Sequence, residues 1–272
     1  MATGSSTSRP RPSVWLAGCS SGKRKADQPA GLDRDKIIAA TVRLLDAEGM
    51  ARFSMRRLAA ELGVTAMSVY WYVDTKNDLL ELVLDHVNGE MVLPVEGELD
   101  AAGDEVDWRR HLRQLAAEYR KVLVQHPWVS QLAGEYLNIG PNARAFSEAA
   151  QWVIRRSGVP EEGMTAALSV VFQFVYGFGT IEGRFAERCR EAGISQDDYF
   201  YEVMSAIEAQ PDLEQSFGNS TRIMRARGGN TVQEMRERDF TYALEMVIAG
   251  LEVMSERAGH HPADVVDGVG RG

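Results

Sequence analysis

Hydrophobic residues recur every three or four positions along most of this chain, which is the spacing of one face of an α-helix. No segment shows the strict hydrophobic–polar alternation between turn residues that a half-buried strand has. The helical patterns cover roughly residues 33–48, 54–62, 65–73, 76–90, 108–125, 127–137, 142–157, 161–192, 196–209 and 232–258. Residues 210–230 are polar and contain three glycines, so they predict a long loop or a frayed segment. The sequence therefore predicts an all-α protein.

Two of these patterns are short and are separated by a glycine turn. Ser54 is a favourable N-cap for the first helix, and Thr65 is one for the second. Gly63 supplies the backbone freedom that ends the first helix. The inward positions are Leu58, Ala59 and Leu62 in the first helix and Val69 and Val73 in the second. Two helices joined in this way are the helix-turn-helix signature, whose second helix enters the DNA major groove.

The stretch from Leu58 to Val73, with Lys76 and a Leu-Leu pair after it, resembles the DNA-binding domain of the TetR family of bacterial repressors. The preceding helix agrees, because Asp33 can cap it and Gly49 can end it. The similarity covers about residues 32–86, and the Tyr-Trp-Tyr triplet within it makes it specific. The resemblance implies a three-helix DNA-binding domain at the N-terminus and a larger helical domain that binds an effector and dimerises.

Four segments are expected on this basis. Residues 32–88 form the helix-turn-helix domain and residues 89–258 form the effector-binding and dimerisation domain. Residues 1–31 are rich in Ser, Gly and Pro and predict a disordered basic extension, and residues 259–272 predict a disordered tail. The basic extension is either a solvated tail or an arm that reaches the DNA minor groove.

Charge is unevenly distributed, which changes the meaning of the net charge of −9. Residues 1–88 carry 12 Lys and Arg against 10 Asp and Glu, whereas residues 89–272 carry 18 against 29. A slightly basic module joined to an acidic body is consistent with DNA binding, because a local positive face governs phosphate contact.

Cysteine usage and hydropathy predict a cytoplasmic protein. The two cysteines, Cys19 and Cys189, are too few for a disulfide framework or a metal motif. Leu16-Ala-Gly-Cys19 resembles a lipoprotein cleavage site, but the apolar run before it is far shorter than that of a signal peptide. No stretch has 18 consecutive apolar residues, so no membrane span is expected.

The residues expected to contact DNA lie on and around the second helix of the motif. Short hydroxyl side chains can bond to base edges or phosphates, tyrosine hydroxyls can donate to phosphates, and a lysine at a helix N-terminus lies where anions are favoured. The resemblance favours Arg56 over Arg57 as a contact of the first helix. The expected DNA-binding residues are Arg56, Thr65, Ala66, Ser68, Tyr70, Trp71, Tyr72 and Lys76. Core packing is the alternative for the aromatic triplet, of which Tyr70 or Trp71 is expected to be partly buried.

Dimerisation is implied by the resemblance, since the family presents two recognition helices to successive major grooves. The long helix around 165–182 and the last helix are the candidate surfaces. On the last helix the expected dimer residues are Leu244, Val247, Ile248, Leu251 and Met254. These residues could equally belong to the core of a single chain.

An effector site is also implied by the resemblance. Apolar walls with a few polar groups are typical of small-molecule sites. The candidate residues are Trp128, Tyr136, Trp152, Phe172, Gln173, Tyr176 and Glu182, with core packing as the alternative. Glu182 lies near the carboxylate that tetracycline-responsive members use, but the histidine of those members is missing here. The expected effector is therefore a hydrophobic or aromatic, antibiotic-like compound without a metal.

The sequence favours a regulator over two other classes. No metal motif, nucleophile elbow or phosphate-binding glycine loop is present, so neither an enzyme nor a cofactor is expected. A ligand-independent architectural DNA-binding protein would explain the first domain but not the large helical body. The leading hypothesis is a homodimeric repressor that binds a palindromic DNA operator, is released by a small molecule and controls genes such as those of drug efflux.

Overall fold

The computed structural model describes residues 13–16, 31–99, 103 and 106–259, and these residues form two compact units. The first unit contains residues up to Glu90 together with Trp128–Ala145, and the second contains Met91–Pro127 and the chain from Phe146 onward. The regular elements within the described ranges are helices, so the predicted fold class is confirmed.

The first unit contains the predicted helix-turn-helix. Its helices are α1 (Arg34–Glu48), α2 (Met55–Glu61), α3 (Ala66–Tyr70), α4 (Lys76–Asn88), α6 (Val129–Leu132) and the first turn of α7 (Pro141–Arg156). The predicted caps are present: Asp33, Ser54 and Thr65 each accept a hydrogen bond from the backbone N–H three residues later. Gly63 has a φ of +65°, a conformation that a residue with a Cβ adopts only with strain.

The core of this unit is built from the inward faces of α1 to α4. Its fully buried side chains include Ile37, Leu45, Leu58, Val69 and Leu79. Each of the short helices therefore contributes at least one apolar anchor. Burial of such anchors, rather than intrinsic propensity, stabilises helices of only five to seven residues.

A short N-terminal segment packs on this unit. Residues 13–16 form a turn in which the backbone N–H of Leu16 donates to the carbonyl oxygen of Ser13 (2.9 Å). The Ser13 hydroxyl and the backbone N–H of Val14 both donate to the buried carboxylate of Glu81 on α4. The expectation of disorder is therefore wrong for these four residues. The rest of the expected extension, 1–12 and 17–30, and the tail from 260 lie outside the described residues.

A second buried carboxylate of α4, that of Asp85, holds the start of α7. It accepts from the backbone N–H groups of Ala143 (2.9 Å) and Asn142 (3.4 Å) and from the Asn142 side chain (3.2 Å). An anion at this position also interacts favourably with the helix dipole. A Cβ on Gly140 would collide with the Asp85 carboxylate, so the joint requires glycine there.

The second unit is a larger helical body. Its helices are α5 (Trp108–Gln125), the remainder of α7, α8 (Met164–Ala192, after a 3-10 turn at Glu161–Gly163), α9 (Gln196–Glu208), α10 (Pro211–Arg227) and α11 (Val232–Gly259). The core lies between α5, α7, α8 and α11 and includes Leu112, Leu115, Val153, Val171 and Phe240.

Helices α5 and α8 approach closely because two glycines of α8 face α5. A Cβ on Gly183 would lie 2.6 Å from the carbonyl oxygen of Leu123, and one on Gly179 would lie 2.9 Å from the Leu123 Cβ. Substitution of either glycine would push the two helices apart, because the close-packed interior has no room for an added methyl group.

Three sequence expectations differ from the structure. Residues 211–227 form helix α10 rather than a loop. Pro211 suits the first helical position. Most of the described side chains of α10 are exposed, so the sequence had no apolar stripe from which this helix could be predicted. The pattern over 127–137 yields only the single turn Val129–Leu132. Residues 161–192 do reach the length and mean hydropathy of a membrane-spanning helix, although core helices of soluble proteins also pass that test.

Candidate nucleic-acid interface and effector site

Helix α3 has one buried side and one exposed side. Val69 is fully buried, while Met67 is 68% exposed and Tyr70 is 40% exposed. Ala66, Ser68 and Trp71 are half-buried beside them. A single buried anchor fixes the short helix on the core and leaves its outer side chains accessible to a partner. The expectation that Tyr70 or Trp71 is partly buried is met by Trp71.

The hydroxyl groups of Thr65 and Ser68 act together at the start of α3. The Thr65 oxygen accepts from the backbone N–H of Ser68 (3.2 Å) and lies 2.9 Å from the Ser68 hydroxyl oxygen. One hydroxyl hydrogen lies between the two oxygens, so the other is free to donate outward. The pair thus holds a hydrogen-bond donor at the N-terminus of α3, which is suited to a phosphate oxygen or a base acceptor.

Tyr72 has an intramolecular role that the sequence did not indicate. Its hydroxyl donates to the carbonyl oxygen of Leu32 (2.7 Å), and its own carbonyl accepts from the Arg34 guanidinium (3.3 Å). The single donor of the phenol is therefore used within the unit, whereas the expectation was that it donates to a phosphate. In this arrangement Tyr72 connects the start of α1 to the end of α3.

The two arginines of α2 differ in environment. Arg56 is exposed, and its neighbour Arg57 forms an ion pair with Glu48 at the end of α1 (Nε to Oε1, 3.1 Å). Arg57 holds the pKa of the Glu48 carboxyl below its usual value through this hydrogen bond. Arg57 therefore stabilises the contact between α1 and α2, and Arg56 is the better candidate for a phosphate.

Lys76 lies at the first position of α4, next to the helix N-terminus capped by Thr75. Its ammonium group donates to the carbonyl oxygen of Phe53 (3.2 Å) and lies 5.2 Å from the centre of the Phe53 ring. These contacts hold the charge in place without using all three of its donors. A preset cation beside a helix N-terminus is suited to an anion such as a phosphate.

The candidate effector residues are divided between the two units. Trp128 is buried in the first unit, where its indole N–H donates to Asp46 of α1 (2.7 Å), and Tyr136 belongs to the same unit. Burial raises the pKa of Tyr136 to about 12, with nearby carboxylates adding to the rise. The other candidates belong to the helical body. Trp128 and Tyr136 therefore belong to a different unit from the other five candidates, and their contact with an effector stays a prediction.

Aromatic side chains of α5, α7 and α8 form a continuous layer in the body. The ring centre of Tyr119 lies 5.5 Å from that of Phe146 and 6.2 Å from that of Phe172, and the rings of Phe146 and Phe172 are 5.1 Å apart. Burial raises the pKa of Tyr119 to about 12, and nearby Tyr176 contributes to this rise. Trp152 packs against the same core. Of the predicted effector residues, Phe172 therefore belongs to this layer, which we call the aromatic layer, and Tyr176 lies near its member Tyr119.

The two polar candidates of α8 have other surroundings. Glu182 accepts from the buried guanidinium of Arg120 on α5 (2.8 Å), which also pairs with Glu237 on α11 (2.6 Å). The Arg120 guanidinium lies 4.4 Å from the centre of the Phe240 ring. Glu182 is thus part of an ion-pair network that joins three helices. Gln173 is exposed on the outer side of α8.

The predicted dimer residues of α11 are mostly core residues of one chain. Leu244 is 3% exposed, Ile248 and Leu251 are also buried, and Val247 packs against the same core. The expectation was therefore wrong for Leu244, Ile248 and Leu251. Met254 alone of the five is exposed. The exposed apolar residues of the two long helices are instead Val170 and Ile181 on α8 and Tyr242, Met246, Val253 and Met254 on α11.

Three buried polar residues have structural roles that the sequence did not indicate. Glu81, Asp85 and His111 are buried and are hydrogen-bonded to residues 13 to 68 positions away. Polar residues on an apolar helix face were the only signal that could have indicated them.

A capped short helix, anchored by one valine and carrying exposed polar and aromatic side chains beside cations, defines a helix-turn-helix DNA-binding protein. Comparison with known proteins agrees. Residues 37–83 match the family "Bacterial regulatory proteins, tetR family", and residues 101–255 match "Tetracyclin repressor-like, C-terminal domain". The chain belongs to the TetR family of bacterial transcriptional regulators.

Individual relatives span different parts of the chain. An HTH-type transcriptional regulator of Saccharopolyspora erythraea is 42% identical over 146 residues, which are 54% of this chain and 59% of that protein. The HTH-type transcriptional repressor DrrR1 of Streptomyces coeruleorubidus is 30% identical over 84% of this chain and 80% of its own length. The Streptomyces coelicolor TetR family protein ActR, solved in complex with actinorhodin, has a TM-score of 0.62 at 25% identity and covers 82% of this chain and 96% of its own.

Proposed function

We propose that this protein is a cytoplasmic repressor that binds a near-palindromic DNA operator as a homodimer and is released by a small aromatic molecule. The observation that carries the proposal is the geometry of α3, whose outer side chains are accessible while Val69 fixes it on the core. A helix of five residues reads only a few base pairs, so tight binding needs two copies placed in successive major grooves.

The second copy is proposed to bind the outer faces of α8 and α11. These helices pack against each other within one chain, and each also presents exposed apolar side chains, such as Val170 and Ile181 on α8 and Met246 and Val253 on α11. A Cβ on Gly177 of α8 or Gly250 of α11 would meet no atom within 4 Å, so neither glycine is needed for packing within the chain. Small residues on an outer face allow a partner helix to approach closely.

The effector is proposed to enter the aromatic layer of the body. Aromatic walls with few polar groups are typical of ligand sites, and ActR, a protein of the same family, is named in complex with actinorhodin. Release follows if the effector binds more tightly to a conformation with low DNA affinity. Genes for export or modification of such a compound, including drug efflux genes, are the proposed targets.

Selection of binding sites from a random duplex library tests the proposal directly. The expected outcome is a short palindromic consensus that the purified dimer protects sharply in footprinting. Diffuse protection without a consensus would contradict the repressor and indicate an architectural DNA-binding protein. Sedimentation of the free protein must show two chains, since a monomer would contradict the dimeric arrangement.

A further inference from the structure

Residues 13–16, which we call the strap, hold a buried carboxylate of the first unit. Glu81 on α4 is 5% exposed, and within the described part of the chain both hydrogen bonds that it accepts come from the strap. The donors are the Ser13 hydroxyl and the backbone N–H of Val14, which lies 3.0 Å from Oε2. A buried carboxylate that loses its donors is strongly destabilising. The packing of α4 in the unit therefore depends on the strap.

The Ser13 hydroxyl is the centre of the strap. It donates to Glu81, and its oxygen accepts from the backbone N–H of Trp15 (3.2 Å). The strap has only four residues, and Leu16 at its end is 66% exposed. Because so short a segment buries little apolar surface, it can detach while the rest of the unit stays folded. Detachment makes the Ser13 hydroxyl accessible to an enzyme.

The residues before Ser13 suit a protein kinase that selects basic sequences. Arg9 and Arg11 precede it in the stretch Arg-Pro-Arg-Pro-Ser, and kinases choose substrates partly by such charge patterns. In the transfer, the Ser13 oxygen attacks the γ-phosphorus of ATP and the bond from that phosphorus to the bridging oxygen breaks. The products are phosphoserine, ADP and the proton of the hydroxyl group.

A phosphate on Ser13 is incompatible with the docked strap. It replaces the hydrogen that Ser13 donates to Glu81, and it carries a charge of about −1.5 to −2. A phosphate beside a carboxylate disrupts a contact through like-charge repulsion and the cost of desolvation. Phosphorylation therefore displaces the strap and leaves the Glu81 carboxylate without its donors.

Helix α4 connects this change to the DNA-binding motif. Leu79 of α4 is fully buried in the same unit as Val69, the anchor of α3, and Lys76 is the first residue of α4. Asp85, one turn after Glu81, holds the start of α7. When α4 moves to bring Glu81 to water, the core that fixes α3 is disturbed, and the affinity for DNA falls.

We propose that Ser13 is a phosphorylation site, and that its phosphorylation releases the strap from α4 and lowers the affinity of the protein for its operator. The inference goes beyond the proposed function, because it adds a covalent control that needs no effector. In the unmodified protein Ser13 is a positioning residue, which acts on DNA binding through Glu81 and α4.

Chemical ligation at Cys19 gives the full chain with a phosphate on one chosen serine. A synthetic peptide of residues 1–18, ending in a thioester of Gly18, joins a recombinant chain that begins at Cys19 through a native peptide bond. Three products are compared: the unmodified chain, the chain with phosphate on Ser13 and the chain with phosphate on Ser8. The Ser8 product adds the same charge five residues earlier and is the matched control.

Two measurements compare these products. Phosphate on Ser13 should lower operator affinity in mobility-shift titrations by at least about tenfold, the effect expected when a buried charged group loses its partners. Phosphate on Ser8 should change affinity by less than about twofold, which is the salt-screened effect of charge alone. Without DNA, the amide hydrogens of α4 should exchange faster in the Ser13 product only. Equal affinity and equal exchange in the two phosphorylated products would overturn the proposal.

Glu81→Gln separates the contact with Ser13 from other effects of the phosphate. The amide of glutamine has no charge and can donate to a phosphate oxygen. Phosphate on Ser13 should therefore lower operator affinity by a smaller factor in this variant than in the native sequence. Each factor is measured within one sequence, so a loss of stability in the variant cancels. Equal factors in the two sequences would contradict the role of Glu81.

Incubation of the native chain with ATP and an arginine-selective serine kinase tests the modification itself. Mass spectrometry of the product should find phosphate on Ser13, and Arg11→Ala should reduce its amount. Absence of phosphate from Ser13 would overturn its assignment as a modification site.

Failure of this inference differs from failure of the proposed function. If the protein selects a palindromic operator and both phosphorylated products bind it equally, the Ser13 inference fails and the repressor stands. If no consensus is selected but α4 exchanges faster with phosphate on Ser13, the release of the strap stands and the proposed function fails.

Discussion

The carboxylate of Asp85 on α4 accepts a hydrogen bond from the backbone N–H of Ala143 in the first turn of α7 (2.9 Å). The helix that follows the DNA-reading motif is thereby joined to a helix that starts at Pro141, 56 residues after Asp85. Asp85 acts as an N-cap for α7 although it is distant in sequence, because its carboxylate accepts from N–H groups that have no partner inside the helix. The contact makes the start of α7 part of the DNA-binding unit.

Replacement of Asp85 should be costly. Asp85→Ala leaves buried donors of Asn142 and Ala143 unpaired and should lower the free energy of unfolding by about 1–3 kcal/mol in urea denaturation. Asp85→Asn keeps an acceptor and should cost less. Glu148 is an exposed carboxylate on α7, so Glu148→Ala serves as control and should change stability by less than about 0.5 kcal/mol. If Asp85→Ala changes the free energy of unfolding as little as this control does, the hydrogen bonds from α7 to Asp85 add no net stability.

The two arginines of α2 should differ in their effect on DNA binding. Arg56→Ala should reduce the slope of log affinity against log salt by about 0.9, which is the loss of one phosphate contact. Arg57→Ala should reduce this slope less, because Arg57 is paired with Glu48 in the free protein. Binding measured at several salt concentrations gives both slopes. A larger change for Arg57 would reverse the assignment.

The two tyrosines of the Tyr-Trp-Tyr triplet should also differ, one affecting DNA binding and the other affecting stability. Tyr70→Phe removes an exposed hydroxyl and should weaken operator binding several-fold without changing the melting temperature. Tyr72→Phe removes the hydrogen bond to Leu32 and should cost about 1 kcal/mol of stability. Thermal unfolding and mobility-shift assays on both variants provide the comparison. An unchanged melting temperature for Tyr72→Phe would mean that this hydrogen bond adds no net stability.

Two neighbouring residues of α11 test which face contacts a second copy. Met246 is 58% exposed, so Met246→Glu should produce monomers in sedimentation while leaving the fold of each chain intact. Leu244 is buried, so Leu244→Ala should reduce the free energy of unfolding by about 2–5 kcal/mol. Dimers that persist in Met246→Glu would place the interface elsewhere.

Glu182 provides a test of structural against ligand-binding roles. Glu182→Ala leaves the buried Arg120 with Glu237 as its remaining partner in the network and should destabilise the body by about 3 kcal/mol. Urea denaturation of the native protein and the variant measures this loss of stability. Unchanged stability would contradict the structural role and restore Glu182 as a candidate effector residue.

The sequence by itself determined the local elements of this protein. Asp33, Ser54 and Thr65 cap helices through bonds to backbone groups three residues away, and Gly63 ends one through its own backbone freedom. These interactions involve neighbours in the chain, so residue type and spacing were enough to predict them. The class of protein followed from them, because the helix-turn-helix is itself a local motif.

Only the tertiary structure decided which side of each long helix faces which partner. On α11, Leu244 and Met246 are both apolar, but one is buried in the core and the other is exposed. The same holds for the polar residues. Glu182 is hydrogen-bonded to Arg120 on another helix, and His111 is hydrogen-bonded to Glu98 in a loop. Helical periodicity shows that a face is apolar, whereas the packing of distant segments determines what that face contacts.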